Sequence, residues 1–188
     1  MRQFVIISGA HTAPIIKDLK AAGRMDVLFH SIISSLFASH DFRQDSKLHL
    51  ILTGPPTPTR HITIEYHKDN TISKKNLKKL VELCLRRCKK GEVREVHPGV
   101  KVDDKTSEEV IGELSKESEV FVLDALGENI KDLGKRIGNS VFVLGDHDGF
   151  DKQTRKFLKK NCTRLSLGPQ IYFTSQAITI INYEIDNL

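Results

Sequence analysis

Two periods of apolar residues alternate along this chain. Arg2 to Ser8 is a strand-like run, whereas Met25, Leu28, Phe29, Ile32, Ile33, Leu36 and Phe37 recur at i, i+3, i+4 and i+7, the spacing of one helix face. Lys47 to Leu52 predicts a second strand, Gly54-Pro-Pro-Thr-Pro58 a turn, and Arg60 to Tyr66 an alternating strand with a wet outer face, the two strands pairing as an antiparallel edge. Ser73 is placed to cap a helix whose buried side is Leu77, Leu80, Val81, Cys84, Leu85 and Cys88. Thr106 and Glu109 have capping-box spacing ahead of Val110, Ile111 and Leu114. Glu119 to Asp124 is the next strand, ending near Gly127, and Asp151 to Lys160 is helical. The closing segment is β-branched at Ile178-Thr-Ile-Ile181, but Ile178, Ile181, Ile185 and Leu188 repeat at helical spacing, so a helix is expected.

The last third carries the strongest signal. Val141-Phe-Val-Leu144 stops at Gly145-Asp-His-Asp-Gly149, and Arg164-Leu-Ser-Leu167 stops at Gly168-Pro169. Short apolar runs bounded by Gly and Pro read as buried parallel strands. In open α/β sheets the ligand lies beyond the carboxyl ends of such strands, so the ligand site is expected here.

Composition narrows the class of partner. The 188 residues, 39% of them hydrophobic, are enough for one domain with a sizeable core, and no linker or composition break divides them. Lys and Arg number 29 against 24 Asp and Glu, giving a net charge of +5 and favouring a polyanion such as nucleic acid. Three cysteines, with no signal peptide and no apolar run of membrane-spanning length, point to a reducing cytoplasm and no membrane. Neither a Gly-x-Gly-x-x-Gly turn nor a Walker loop is present.

Single clusters stay ambiguous. Cys84 and Cys88 are spaced for two thiolates but lie on the apolar stripe without a third ligand, so core is preferred to metal. His40, Asp41 and Asp45 read as a loop brace or an RNA contact rather than a metal site, and Asp146 and His147 as turn-formers rather than catalysts. The lysines and arginines between Ser73 and Lys90 read as a solvated face, with direct RNA contact as the alternative. No metal is expected.

Five pieces in order, Gly23-Arg-Met-Asp-Val-Leu28, Phe37-Ala-Ser-His-Asp-Phe-Arg-Gln-Asp45, Gly145-Asp-His-Asp-Gly149, Leu165-Ser-Leu-Gly-Pro169 and Ile178-Thr-Ile-Ile-Asn182, resemble the TrmY family of tRNA pseudouridine N1-methyltransferases in the SPOUT superfamily. His97-Pro-Gly-Val100 is similar to the family's central loop. The resemblance implies an α/β fold with a mostly parallel sheet, one domain over residues 1–188, a deep C-terminal trefoil knot from about 119 to 188, and a homodimer. It implies S-adenosylmethionine as methyl donor and a pseudouridine at T-loop position 54 of tRNA as acceptor. Two alternatives stand beside it: a knotted methyltransferase acting on ribosomal RNA, and a basic RNA-binding domain without catalysis.

The resemblance also names residues. Arg24 and Asp26 match the family's Arg-x-Asp motif and supply the cation and carboxylate that deprotonation and methylation of a ring nitrogen call for. The plainer alternative is that Asp26 caps a helix and Arg24 is a solvated charge. Donor binding is implied for Leu123, Leu144, Gly145, Leu165, Ser166 and Leu167, where a missing Cβ at Gly145 suits close backbone approach to a ligand. Ala177 stands where the family commonly has Cys.

Overall fold

The computed structural model describes every residue of the chain except His40 and Pro58. In order, the elements are β1 (Arg2–Ser8), α1 (Met25–Leu36), β2 (Phe37–Ala38), β3 (Asp41–Phe42), β4 (Ser46–Leu52), β5 (Arg60–Glu65), α2 (Leu77–Arg87), β6 (Arg94–His97), β7 (Val100–Asp103), α3 (Ser107–Leu114), β8 (Val120–Asn129), β9 (Val141–Gly145), α4 (Lys152–Asn161), β10 (Thr163–Ser166) and α5 (Thr174–Asp186). The main sheet has the strand order β10-β8-β9-β1-β4-β5-β7-β6. From β10 to β4 every neighbouring pair is parallel, and from β4 to β6 every pair is antiparallel.

Side-chain alternation divides the core into two layers. Phe4 and Ile6 of β1 and Phe142 and Leu144 of β9 point to the face covered by α1, α2 and α5. Val5, Ile7, Val141 and Val143 point to the face covered by α3 and α4. The rings of Phe4, Phe142 and Phe121 follow one another at 5.8 Å spacing across the sheet centre, each worth roughly 2–3 kcal/mol by apolar burial.

Several sequence expectations need correction. The N-cap of α2 is Asn76 and not Ser73, whose backbone N–H instead donates to the Asn76 side chain at 2.8 Å. β4 and β5 are antiparallel, but they are not the edge, because β7 and β6 extend the sheet beyond them. The His97-Pro-Gly-Val100 stretch is the turn between those two strands. The outer face of β5 is not wet: His61 is buried there. His49 Nδ1 lies 3.0 Å from His61 Nε2, His61 Nδ1 lies 2.9 Å from Asp103, and His49 Nε2 lies 3.1 Å from Gln3. A hydrogen-bonded polar chain thus crosses β1, β4, β5 and β7. Burial pushes the His49 pKa down to about 3.

Other expectations hold. Thr106 and Glu109 form the capping box of α3. Cys84 is fully buried in the core, and burial pushes its thiol up to about 12. Asp45 braces a loop by accepting from Arg2 at 2.6 Å, whereas His40 lies outside the described residues. The closing segment is helical, and Ile178 and Ile181 are buried by the chain's own α1 side of the sheet, so that apolar stripe is not free for a partner. Beneath it, buried Arg2 donates to the Asn182 side chain at 2.8 Å and pairs with Asp186, which also takes a two-point contact from Arg43. Asn182 donates in turn to the carbonyl of Ser34 in α1.

Candidate functional site

The site begins with an interruption in β8. Arg164 of β10 pairs with Val122, but the next residue, Leu165, pairs with Glu128. The intervening residues 123–127 stand out of the ladder, and Leu123, Asp124 and Ala125 become one wall of a cleft. The end of β9, the α4 residues Arg155, Leu158 and Lys159, and the segment leading into α5 close the rest. A larger lobe of about 620 Å³ adjoins a smaller one of about 180 Å³, within the size range of small-molecule sites. The cleft lies beyond the carboxyl ends of parallel strands, where the sequence placed it.

Most of the expected donor residues converge here. Leu123 and Ala177 line both lobes, Leu144 and Gly145 the larger, and Leu165 and Leu167 the smaller. Ser166 lines neither; its hydroxyl accepts from the Gly168 N–H at 3.1 Å and shapes the turn after β10. Gly145 is present for a reason other than ligand approach: a Cβ there would stand 2.8 Å from the Gly149 Cα, so the missing side chain lets the following loop fold back on the strand. Thr174, at the start of α5, donates to the Gly145 carbonyl at 2.6 Å and holds the far wall in place.

Sequence reasoning missed Asp124, Arg155, Lys159 and Tyr172, all of which line the larger lobe. Arg155 and Lys159 had a signal in their i, i+4 spacing on a basic helix. Asp124 and Tyr172 had none, because their position depends on the break in β8 and on the path of the loop ahead of α5.

Asp146 is a turn-former, as expected, and also a tie. Its carboxylate accepts from the Ser8 hydroxyl and from the Gly9 N–H, both at 2.8 Å, and from the Asp148 N–H at 3.0 Å. This fixes the cleft loop to the end of β1. On the other side Gly23 backs onto Ala10 so closely that a Cβ would lie 2.8 Å from its Cα. The contacts therefore run from the cleft through β1 to the start of α1.

There Arg24 occupies the N-cap in a left-handed conformation, φ 57° and ψ 42°, which costs a residue with a Cβ about 1–2 kcal/mol. Its guanidinium donates two bonds to Asp26, at 3.0 and 3.1 Å. No side chain caps the helix, so Asp26 is not a capping residue in the ordinary sense. The Arg24 hydrogen bond holds the Asp26 carboxyl below its ordinary pKa, leaving a carboxylate that accepts hydrogen bonds and is a weak base. Cation and carboxylate sit together at the sheet's ligand rim, both partly open to solvent.

The whole chain, residues 1–188, matches the family model described as "Putative SAM-dependent RNA methyltransferase". It is 34% identical to a tRNA (pseudouridine(54)-N(1))-methyltransferase of Thermococcus gammatolerans, covering 100% of this chain and 98% of the relative. A Methanococcoides burtonii protein with the same name is 33% identical, with 99% and 96% covered. The crystal structure of Archaeoglobus fulgidus Nep1 bound to S-adenosylhomocysteine has the same fold, with a TM-score of 0.67 at 12% identity over 99% of this chain and 97% of that one. The chain belongs to the family of S-adenosylmethionine-dependent RNA methyltransferases.

Proposed function

We propose that the protein methylates N1 of a pseudouridine at T-loop position 54 of tRNA. The names of its relatives at 34% and 33% identity support this substrate. The observation that carries the reading is the Arg24–Asp26 pair, held on the same rim as a cleft suited to the donor.

The residues present fit the donor. Leu123, Leu165, Leu167 and Ala177 make an apolar slot for a flat heteroaromatic group, and Asp124, Arg155 and Lys159 put charge around the larger lobe for an amino-acid end. When bound, S-adenosylmethionine supplies a methyl group on a sulfonium. The acceptor nitrogen carries a proton, and as that proton leaves, negative charge spreads to the adjacent C2 carbonyl and, through the C5–C6 double bond, to the C4 carbonyl. Arg24 offers N–H donors for this charge, and Asp26, held ionised, accepts from the N–H edge of the base and orients it. Solvent takes the proton, because Asp26 is too weak a base to keep it.

The same reading takes residues 1–188 as one catalytic domain, knotted from about 119 to 188, working in the cytoplasm as a homodimer. Among the described residues no helix is long and apolar enough to cross a membrane. Leu126, Ile171 and Phe173, all largely exposed around the cleft, support burial by a second copy. Purified protein, donor and pseudouridine-54 tRNA should give a 14 Da mass gain at one nucleoside, a methyl group replacing a hydrogen. Asp26→Asn and Arg24→Ala should each lower the single-turnover rate about tenfold or more, with donor affinity unchanged. Normal rates in folded variants would remove these two residues from the mechanism.

A further inference from the structure

The charge of this protein is unevenly placed. Between Lys74 and Lys90 lie eight lysines and arginines and one carboxylate, a surplus of seven against +5 for the whole chain, so the remaining residues are net acidic. All eight cations are exposed, and among the described residues none of them forms an ion pair. The one carboxylate, Glu82, is turned inward and accepts from the Ile16 N–H at 2.9 Å. Elsewhere the pairing is mixed: half-buried Lys105 pairs with Glu113 and Arg136 with Glu119, whereas Lys152, Lys156, Lys159 and Lys160 of α4 form no ion pair among the described residues, so α2 is distinguished by the number of its cations and the inward turn of its one acid. Like charges gathered on and beside α2, from Lys74 to Lys90, repel one another in the absence of a counter-charge. Such a face is stabilised by a polyanion.

Its position ties it to the site. β5 runs away from the ligand rim and α2 returns to it: Cys88, just past the helix, donates to the carbonyl of Asp103 at 3.3 Å, and Asp103 pairs with His61 at the rim end of β5. Glu82 meanwhile holds the segment that leads to Arg24. The basic C-terminal half of α2 and Arg24 therefore face the same end of the sheet. Between the β8–β9 cleft and β5 lie only β1 and β4, and at about 4.8 Å per strand the separation is roughly 15–20 Å, about the reach of one folded RNA arm.

Resting on the reading above, we infer that the exposed basic face of α2, centred on Lys78, Lys79, Arg86 and Arg87, is the docking surface for the phosphodiester backbone of the substrate RNA. It reads charge and not sequence, and it delivers the target arm to Arg24 and the cleft. Phosphate contacts position an RNA without specifying it, and each one lost reduces the salt dependence of binding.

The test is the full-length variant Lys78→Gln/Lys79→Gln/Arg86→Gln/Arg87→Gln, which keeps helix-forming residues, measured by fluorescence anisotropy. The probes are a pseudouridine-54 tRNA and an unrelated hairpin RNA of equal length, each over a range of salt. Affinity for both should fall at least tenfold, and the slope of log affinity against log salt should flatten by about 2 to 3. Affinity for S-adenosylhomocysteine and kcat at saturating tRNA should stay unchanged while KM rises. If the fourfold variant does not fold, Lys89→Gln/Lys90→Gln, beyond the helix, should give a smaller loss of the same sign. Wild-type affinity and slope in folded variants would overturn the docking surface. So would a wild-type protein that binds neither RNA, or variants that lose only binding to phosphatidylserine vesicles. A wild-type protein that binds both RNAs and methylates neither would remove the catalytic reading while leaving the surface in place.

Discussion

At the scale of single residues, His49 carries a pH dependence that has nothing to do with the reaction. It is buried beside His61 and neutral in the fold, its pKa pushed down from 6.5 to about 3. Above pH 6.5 the ring is neutral in both states and costs nothing; below it the unfolded chain takes up a proton that the folded chain refuses. Stability should therefore fall as pH drops from 6.5 toward 3, by about 1.4 kcal/mol per pH unit and so about 2 kcal/mol between pH 7 and 5. Urea unfolding of wild type and His49→Gln across this range checks it, since the variant should show a shallower slope. The donor cleft is best probed at Ala177, which is buried and lines both lobes. Ala177→Leu should reduce S-adenosylhomocysteine affinity at least tenfold by filling the junction, read by calorimetry. Gly145→Val is a poorer probe, because its side chain would strike the Gly149 backbone and disturb the loop before any ligand arrived.

At the scale of elements, α5 is held by a polar clamp as much as by Ile178 and Ile181. Asn182→Ala leaves the buried Arg2 guanidinium and the Ser34 carbonyl each one partner short, and should cost about 2–3 kcal/mol in chemical unfolding. What was legible in the sequence follows from locality. Strands such as Arg2–Ser8 and Val141–Leu144 announce themselves by apolar runs, and the cap of α3 by Thr106 and Glu109, because those signals depend on neighbours in the chain. β6 and β7 were not legible, being polar on one side and short, and their strand character comes from pairing, β7 with β5 and β6 with β7. The wet face expected of β5 failed for a related reason: His61 is polar in sequence but buried by partners from β4 and β7. In the site, the glycine and leucine positions were visible, but the excursion of residues 123–127 is set by where β10 resumes its pairing, which only the assembled sheet decides.

At the scale of the whole molecule, the proposed homodimer would cover some of the exposed side chains of Leu126, Ile171, Phe173, Tyr183 and Leu188. Sedimentation at micromolar concentration should give twice the 21.2 kDa chain mass, and Phe173→Glu should shift it toward one copy. The order of the sheet has a further consequence, in time. β1 is made well before one of its two neighbours, β9, which begins at Val141. Until most of the chain has left the ribosome, β1 keeps an unpaired edge between Gln3 and Ile7, and the parallel centre of the sheet waits for contacts that are distant in sequence and slow to form. Synthesis itself thus holds open, for most of its length, the strand on which the finished enzyme is centred.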